Sequence, residues 1–173
     1  GLVPGEDVKA IRAFAKDLKS CEILDSQEEY VDMFDRVRSL SLHIFEHVHG
    51  DSRDRGQAMV DLAEIYKEHG LSLAKNELPD YLPAFLEYLS SLPKKEALEM
   101  LSEPSHVLAA IGKRLAERGS PYCTIFNCLI RLVGKTPEKV ERTIDHKPPS
   151  FEQLDEEWEE KPVEFLGAEA PNP

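Results

Sequence analysis

Apolar residues recur along most of the chain at the three- and four-residue spacing that is typical of amphipathic helices. In residues 6–20, Val8, Ile11, Phe14 and Leu18 fall on one helical face, and charged residues lie between them. No segment shows a convincing apolar–polar alternation of the kind that marks a half-buried strand. The pattern therefore predicts an all-α fold, a single-domain helical bundle. The later predicted helices cover residues 26–37, 40–48, 53–69, 81–92, 94–101, 104–118 and 121–133.

Several polar residues predict where individual helices begin. Ser26 followed by Glu29 is a capping-box pattern, in which the two side chains bond free backbone amides of the first turn. Asp51 or Ser52 is placed to cap the helix that follows, because a short side-chain oxygen can accept from its first amides. Asp80 is expected to cap the next helix along the chain in the same way.

Composition and proline content divide the chain. Residues 6–134 are predicted to form the helical domain, with a break in the helical pattern near residues 38–41. The proline content rises in residues 135–165, where a short acidic helix ending at Trp158 is expected to dock on the domain. Residues 166–173 are predicted to be a disordered tail.

Charge limits the partners of the chain. Lys and Arg number 21 against 33 Asp and Glu, which gives a net charge of −12 over 173 residues. Such a surface repels phosphates and disfavours nucleic acid binding, whereas it attracts a basic partner or simply keeps the protein soluble. No apolar run approaches the roughly 18 residues that span a bilayer, so direct membrane insertion is not expected. Three cysteines without a regular framework indicate a reducing compartment.

The stretch from His43 to Met59 concentrates the candidate chemistry of the chain. His43 and His47 are four residues apart, so both imidazoles could face one metal ion, and His49 lies nearby. A metal-dependent enzyme that uses these three histidines is therefore one hypothesis. The stretch has no Cys or acidic residue placed as an obvious further ligand, which favours instead hydrogen bonding at a helix end or direct recognition of a partner.

The basic residues that follow also have two interpretations. Arg53 and Arg55 stand at a predicted helix start, where the helix dipole favours Asp54 but not a cation. Their guanidinium groups could hold carboxylates of a partner, or form an internal network that ties helices together. Gly56 inside a helix costs about 1 kcal/mol relative to Ala, and close helix packing would explain it.

A second unusual stretch covers residues 77–83, Glu-Leu-Pro-Asp-Tyr-Leu-Pro. Glu77 and Asp80 could pair with a guanidinium, or the prolines could simply make a stiff hinge. The chain has no Gly-x-Ser-x-Gly, phosphate-binding loop or Cys-x-x-Cys pattern, so no feature favours an enzyme.

Both stretches resemble the nitrate reductase assembly chaperones, the delta-chain or NarJ branch of the TorD/DmsD chaperone family. The first matching stretch is Phe45-Glu-His-Val-His-Gly-Asp-Ser-Arg-Asp-Arg-Gly-Gln-Ala-Met59, and the second is Glu77-Leu-Pro-Asp-Tyr-Leu-Pro83. Residues 30–34 resemble an earlier aromatic motif of the family, and residues 149–160 resemble its C-terminal segment. The likeness covers about residues 7–165.

The resemblance implies an all-helical cytoplasmic chaperone and not an enzyme. Its client would be the apo nitrate reductase alpha subunit, bound through its N-terminal segment before membrane attachment. The client would receive molybdenum bis-guanine-dinucleotide, and the chaperone itself would hold no cofactor stably. Members of the family sometimes swap helices, which allows a homodimer. A structural helical adaptor remains the alternative.

Two departures from the family pattern affect what can be carried over. No residue before Gly5 matches the family's N-terminal helix, so that helix is expected to be missing from this sequence. Tyr81 stands where the wider family often has His, so a role that needs an imidazole does not apply here.

A client groove between helices would suit a basic amphipathic segment. The aromatic candidates for it are Tyr30, Phe34, Phe45, Tyr66, Tyr81 and Phe85. The polar candidates are Glu46, His47, Asp54, Glu77 and Asp80. The residues expected to build a rigid corner beside it are His49, Gly50, Arg53, Arg55, Gly56 and Pro79.

Overall fold

The computed structural model of the protein describes residues 5–50, 52–74 and 77–137. All of them belong to the first of two compact units of the chain, Gly1–Arg142. Helices dominate these residues, and the only β pairing among them is an isolated antiparallel bridge between His43 and Tyr81. The predicted all-α fold is therefore confirmed. The helices are α1 (Gly5–Ser20), α2 (Ile23–Tyr30), α3 (Ile44–His49), α4 (Arg53–Glu68), α5 (Leu82–Ser91), α6 (Lys94–Ser102), α7 (Ser105–Glu117) and α8 (Cys123–Leu132).

The centre of the core is the packing of α7 against α8. Apolar residues recur every three or four positions in both helices, and Ile111, Leu115 and Ile130 are almost completely buried. Gly112 makes the close approach possible. A Cβ atom built at Gly112 would lie 2.9 Å from the Cβ of Phe126, closer than real contacts of this kind. The tight helix packing at Gly112 was not predicted from the sequence, which pointed to Gly56 instead.

The irregular region between α2 and α3 is where the sequence predicted a break. The chain continues from α2 into one π-helical turn, Val31–Asp35, and then forms a 3₁₀ turn, Arg38–Leu40. Ser41 follows with φ −47° and ψ 137°, outside the helical region. The predicted break near residues 38–41 is confirmed, and it directs the chain towards α3.

Two side-chain caps that the sequence predicted, at Ser26 and at Ser52, do not form in the structure. Helix α2 begins at Ile23, immediately after α1, so Ser26 lies inside it and the predicted capping box with Glu29 is wrong. Ser52 does occupy the N-cap position of α4, but its hydroxyl makes no capping bond. Asp51, the alternative cap, lies outside the described residues.

The helix ends otherwise follow the sequence. Gly70 comes just after α4 with φ +75°, a left-handed conformation that glycine adopts without steric cost. Pro83 lies in the first turn of α5, where a missing amide is tolerated. Among the three free cysteines, Cys128 is buried, Cys123 is half-buried, and Cys21 is exposed.

The predicted helix ending at Trp158 and the tail at 166–173 lie outside the described residues. In the described part of the chain, every helix is too short or too polar to cross a membrane.

Candidate functional site

Asp80 is the centre of a polar cluster that joins the two unusual stretches of the sequence. Its side chain is completely buried. One carboxylate oxygen, Oδ1, accepts from Nδ1 of His43 at 3.2 Å, and the other, Oδ2, accepts from the backbone amide of Phe45 at 3.2 Å. Phe45 is the second residue of α3, so Asp80 caps α3. The prediction that it caps the following helix, α5, is wrong, because Tyr81 is the N-cap residue there.

Backbone pairing holds the two stretches in register. The amide of Ile44 donates to the carbonyl of Asp80 at 3.0 Å, and the amide of Leu82 donates to the carbonyl of Leu42 at 2.8 Å. These two bonds flank the bridge between His43 and Tyr81. The start of α3 and the start of α5 are therefore fixed together by main-chain contacts. We call residues 41–46, Arg55 and residues 77–81 the corner.

Arg55 connects α4 to this corner. Its guanidinium donates to Oε1 of Glu46 at 3.1 Å and lies 3.8 Å from Oδ2 of Asp80. Arg55 and Glu46 are mostly buried, so solvent screens their ion pair less than a surface pair. Of the two interpretations of these basic residues, the contacts of Arg55 agree with an internal network that ties helices together. Arg53 and Asp54 are instead exposed on the first turn of α4.

Aromatic rings close one side of the corner. The hydroxyl groups of Tyr30 and Tyr81 are hydrogen-bonded at 2.7 Å. The ring of Tyr81 lies 5.5 Å from that of His43, and the ring of Tyr30 lies 5.0 Å from that of Phe34. Partial burial raises the pKa of Tyr30, so its hydroxyl stays protonated and can donate. The end of α2 is thereby attached to the loop that carries Asp80.

The histidines act in hydrogen bonding and packing. His47 donates from Nε2 to the carbonyl of Ser41 at 2.9 Å, and burial lowers the pKa of its imidazole. The ring of His49 packs on that of Phe45 at 5.6 Å. No group of three or more His, Cys, Asp or Glu residues in the described ranges could hold a metal ion. His43, His47 and His49 are therefore not brought together as such a group.

The predicted groove residues divide by burial. Phe34, Tyr66 and Phe85 are buried in the core and expose almost no surface to a partner. Asp54 and Glu77 are exposed. The half-buried members, which present part of their surface at the corner, are Tyr30, Phe45, Glu46, His47 and Tyr81.

The residues that the sequence predicted to build a rigid corner differ in their contacts. Gly50 ends α3 with φ 56°, and the carbonyl of Pro79 accepts from the hydroxyl of Tyr66 at 2.8 Å. A Cβ atom at Gly56 would meet nothing within 4 Å, so the expected close packing at this glycine is wrong. His43, for which the sequence offered metal binding, hydrogen bonding at a helix end or direct recognition of a partner, is hydrogen-bonded to Asp80. Because Asp80 lies 37 positions further along the chain, no local sequence pattern indicates that it is the partner of His43.

Comparisons with known proteins agree with the two motifs. The family described as "Nitrate reductase delta subunit" matches residues 4–127. The chain is 45% identical over 171 residues to the nitrate reductase molybdenum cofactor assembly chaperone NarJ of Escherichia coli K12, covering 95% of this chain and 71% of that protein. It is 42% identical over 164 residues to the probable chaperone NarW of the same strain, covering 92% and 71%.

A more distant relative has the same kind of name. The probable nitrate reductase molybdenum cofactor assembly chaperone NarJ of Bacillus subtilis is 26% identical over 103 residues, covering 60% of this chain and 56% of that protein. The predicted family and the prediction of a chaperone instead of an enzyme are confirmed by these matches. The chain belongs to the nitrate reductase delta subunit family.

Proposed function

We propose that this chain is a client-specific chaperone that binds the N-terminal segment of the apo nitrate reductase alpha subunit at the corner. The observation that carries the proposal is the rigid framework around Asp80. That buried carboxylate caps α3 and lies beside Arg55 in the first turn of α4, and main-chain hydrogen bonds hold the start of α5 to the same place. A surface held in this way loses little conformational entropy when a peptide docks on it.

The half-buried residues supply the contacts of the proposed site. Tyr30, Phe45 and Tyr81 offer aromatic surface, and aromatic side chains bury large areas at low entropic cost. Glu46 offers a carboxylate next to them, already oriented by Arg55. The buried Phe34, Tyr66 and Phe85 support this surface from below, and Asp80 positions it.

The charge of the chain suits a basic client. The net charge of −12 speeds the encounter with a cationic segment, and the exposed Glu77 of the corner and the exposed Asp54, next to Arg55 in the sequence, add negative charge. Binding is therefore expected to weaken as salt is added, because surface charges are screened within a Debye length of about 10 Å at 0.1 M.

The relatives are named as established or probable nitrate reductase molybdenum cofactor assembly chaperones. For this chain we propose that the client receives molybdenum bis-guanine-dinucleotide while the chaperone holds none stably. The work would take place in the cytoplasm, before the enzyme attaches to the membrane. A homodimer remains part of the proposal, and sedimentation velocity at several concentrations would detect it.

The experiment is a calorimetric titration of the chain with a peptide that carries the N-terminal sequence of the alpha subunit, at low and at high salt. We expect saturable, salt-sensitive binding. Glu46→Gln should weaken it by about three- to tenfold, the effect of one partly buried charge contact. Glu64→Gln, an exposed carboxylate on α4, is the matched control and should bind as the wild type does.

Failure of the peptide to bind at low salt would reject the proposal. A simple structural adaptor predicts a different result in cells: active nitrate reductase would still assemble when this chain is deleted.

A further inference from the structure

Helix α1 is attached to the rest of the molecule by few buried side chains. It has sixteen residues, of which only Asp7 and Phe14 are buried. Helix α2, which follows it along the chain, has no buried residue and so adds no further anchor. Segments with few buried contacts open locally at a lower free energy than the fold as a whole. The docking of α1 therefore depends mainly on the surroundings of two side chains.

The first anchor of α1 is an ion pair with α8. The guanidinium of Arg131 donates to Oδ1 of Asp7, and the side chain of Asp7 is buried while that of Arg131 is 42% exposed. The other carboxylate oxygen of Asp7, Oδ2, is buried and has no hydrogen-bond partner among the described residues. A buried acceptor without a partner costs free energy, which offsets part of what the ion pair contributes. This anchor is therefore weak for a buried pair.

The second anchor of α1 begins a series of aromatic contacts that ends at the corner. The ring of Phe14 lies edge-on to that of Tyr122 at 4.8 Å, and the ring of Tyr122 lies edge-on to that of Phe34 at 5.0 Å. Phe34 in turn lies 5.0 Å from Tyr30, whose hydroxyl is bonded to that of Tyr81. We call these five residues the aromatic series. The side chain that docks α1 is thus linked by direct contacts to the loop that carries Asp80.

Cys128 lies on α8 one turn before Arg131, close to the first anchor. Its side chain is buried, and this burial raises the pKa of the thiol, with a further increase from the nearby carboxylate of Asp7. The thiolate is the reactive form of cysteine, so the thiol is unreactive while α1 is docked. Undocking of α1 takes Asp7 away and opens this side of α8. The reactivity of Cys128 therefore reports whether α1 is docked.

We infer that α1 is a detachable strap, which undocks from α8 as a unit while α5, α6, α7 and α8 stay folded. Undocking withdraws Phe14 from Tyr122, and the loss of this contact loosens the corner through the aromatic series. Coupling between distant sites requires an element with two discrete arrangements, and docked and undocked α1 supplies them. This behaviour of α1 does not depend on what binds at the corner.

Thiol labelling of the full chain tests the strap. A background with Cys21→Ser and Cys123→Ser leaves Cys128 as the only thiol, and iodoacetamide then alkylates it at a rate that intact mass spectrometry measures. We expect slow labelling whose rate barely rises at low urea concentrations. Opening of one helix exposes little surface, whereas unfolding of the whole domain exposes much more and is therefore strongly dependent on urea.

Two variants should accelerate the labelling of Cys128. Arg131→Gln leaves Asp7 buried without its cation, and Phe14→Ala removes the second anchor, so each should raise the rate about tenfold or more. Leu98→Ala, at a half-buried leucine of α6, is the matched control. It lowers the stability of the whole fold but should leave the labelling rate at low urea unchanged. Circular dichroism checks that each variant is folded.

Amide hydrogen exchange tests the link between α1 and the corner. Exchange in residues 43–46 and 77–81 should be about threefold faster or more in Phe14→Ala than in Leu98→Ala. The comparison is made between the two variants because any loss of global stability accelerates exchange throughout the fold.

Two results would overturn the inference. Labelling that rises steeply with urea, and by the same factor in Phe14→Ala and Leu98→Ala, would show that Cys128 is reached only when the whole fold opens. Equal exchange at the corner in these two variants, together with faster labelling in Phe14→Ala, would show that α1 undocks without loosening the corner.

Discussion

The carboxylate of Asp80 caps helix α3 from 35 positions further along the chain, because its Oδ2 accepts from the amide of Phe45 at 3.2 Å. The same side chain bonds His43 through Oδ1. A single buried carboxylate therefore accepts a hydrogen bond from a backbone amide at the start of α3 and another from the imidazole of His43. This relationship explains why the two unusual stretches of the sequence work as one corner.

Replacing Asp80 with Ala should destabilise the fold strongly. The change removes a helix cap and leaves the amide of Phe45 without its acceptor, and we expect a loss of about 2–4 kcal/mol in the free energy of unfolding. Urea denaturation measures it. Asp54→Ala, at an exposed site on the first turn of α4, should cost less than about 1 kcal/mol. Equal losses in the two variants would show that Asp80 has no special role in the fold.

Two glycines should respond to the same substitution with opposite signs. Gly112→Ala places a methyl group 2.9 Å from the Cβ of Phe126, and overpacking of this kind costs about 1–3 kcal/mol. Gly56→Ala meets no atom within 4 Å in the interior of α4, so it should stabilise by about 0.5–1 kcal/mol. Thermal unfolding of both variants checks the pair. Stabilisation by Gly112→Ala would contradict the close packing of α7 on α8.

The fold should lose stability in mild acid because of His47. Burial lowers the pKa of His47 in the folded state, so the unfolded chain takes up its proton more readily once the pH falls below about 6.5. The contribution of His47 is therefore fully present above that pH and declines as the pH falls through this window. Denaturation curves from pH 7.5 to about 5 should be less pH-dependent for His47→Gln. An unchanged pH dependence would contradict the effect of burial.

The hydroxyl pair of Tyr30 and Tyr81 should behave as one unit. Removing either partner of the 2.7 Å hydrogen bond, by Tyr30→Phe or Tyr81→Phe, should cost about 0.5–1.5 kcal/mol. The double variant should cost little more than one single variant, because the second hydroxyl has no remaining partner to lose. A double-mutant cycle measures this coupling, and strictly additive losses would show that the bond contributes nothing.

Periodicity was sufficient to predict that the helices exist and that a break precedes α3, but α2 begins three residues before its predicted start and α3 four residues after its own. These features depend on residues that are near one another in sequence, such as Ile111 and Leu115 on α7. Local rules were insufficient for Asp80, since a capping rule assigns a side chain to the nearest helix and the carboxylate instead turns to α3. The sequence likewise showed that Gly56 lies in a helix, but not that the space opposite it is empty.

The candidate site was predicted in part. The motifs identified Glu46, Tyr81 and Asp80, and the structure brings the stretches that carry them together. Burial could not be read from residue type, because Tyr66 and Tyr30 look alike in sequence while one is buried and the other is half-exposed.

The most direct test of the corner as the client site is amide hydrogen exchange, with and without the N-terminal peptide of the alpha subunit. The proposed site predicts that added peptide slows exchange in residues 43–46 and 77–81, and that the Glu46→Gln variant needs more peptide for the same protection. Peptide binding that leaves exchange in both stretches unchanged would contradict it.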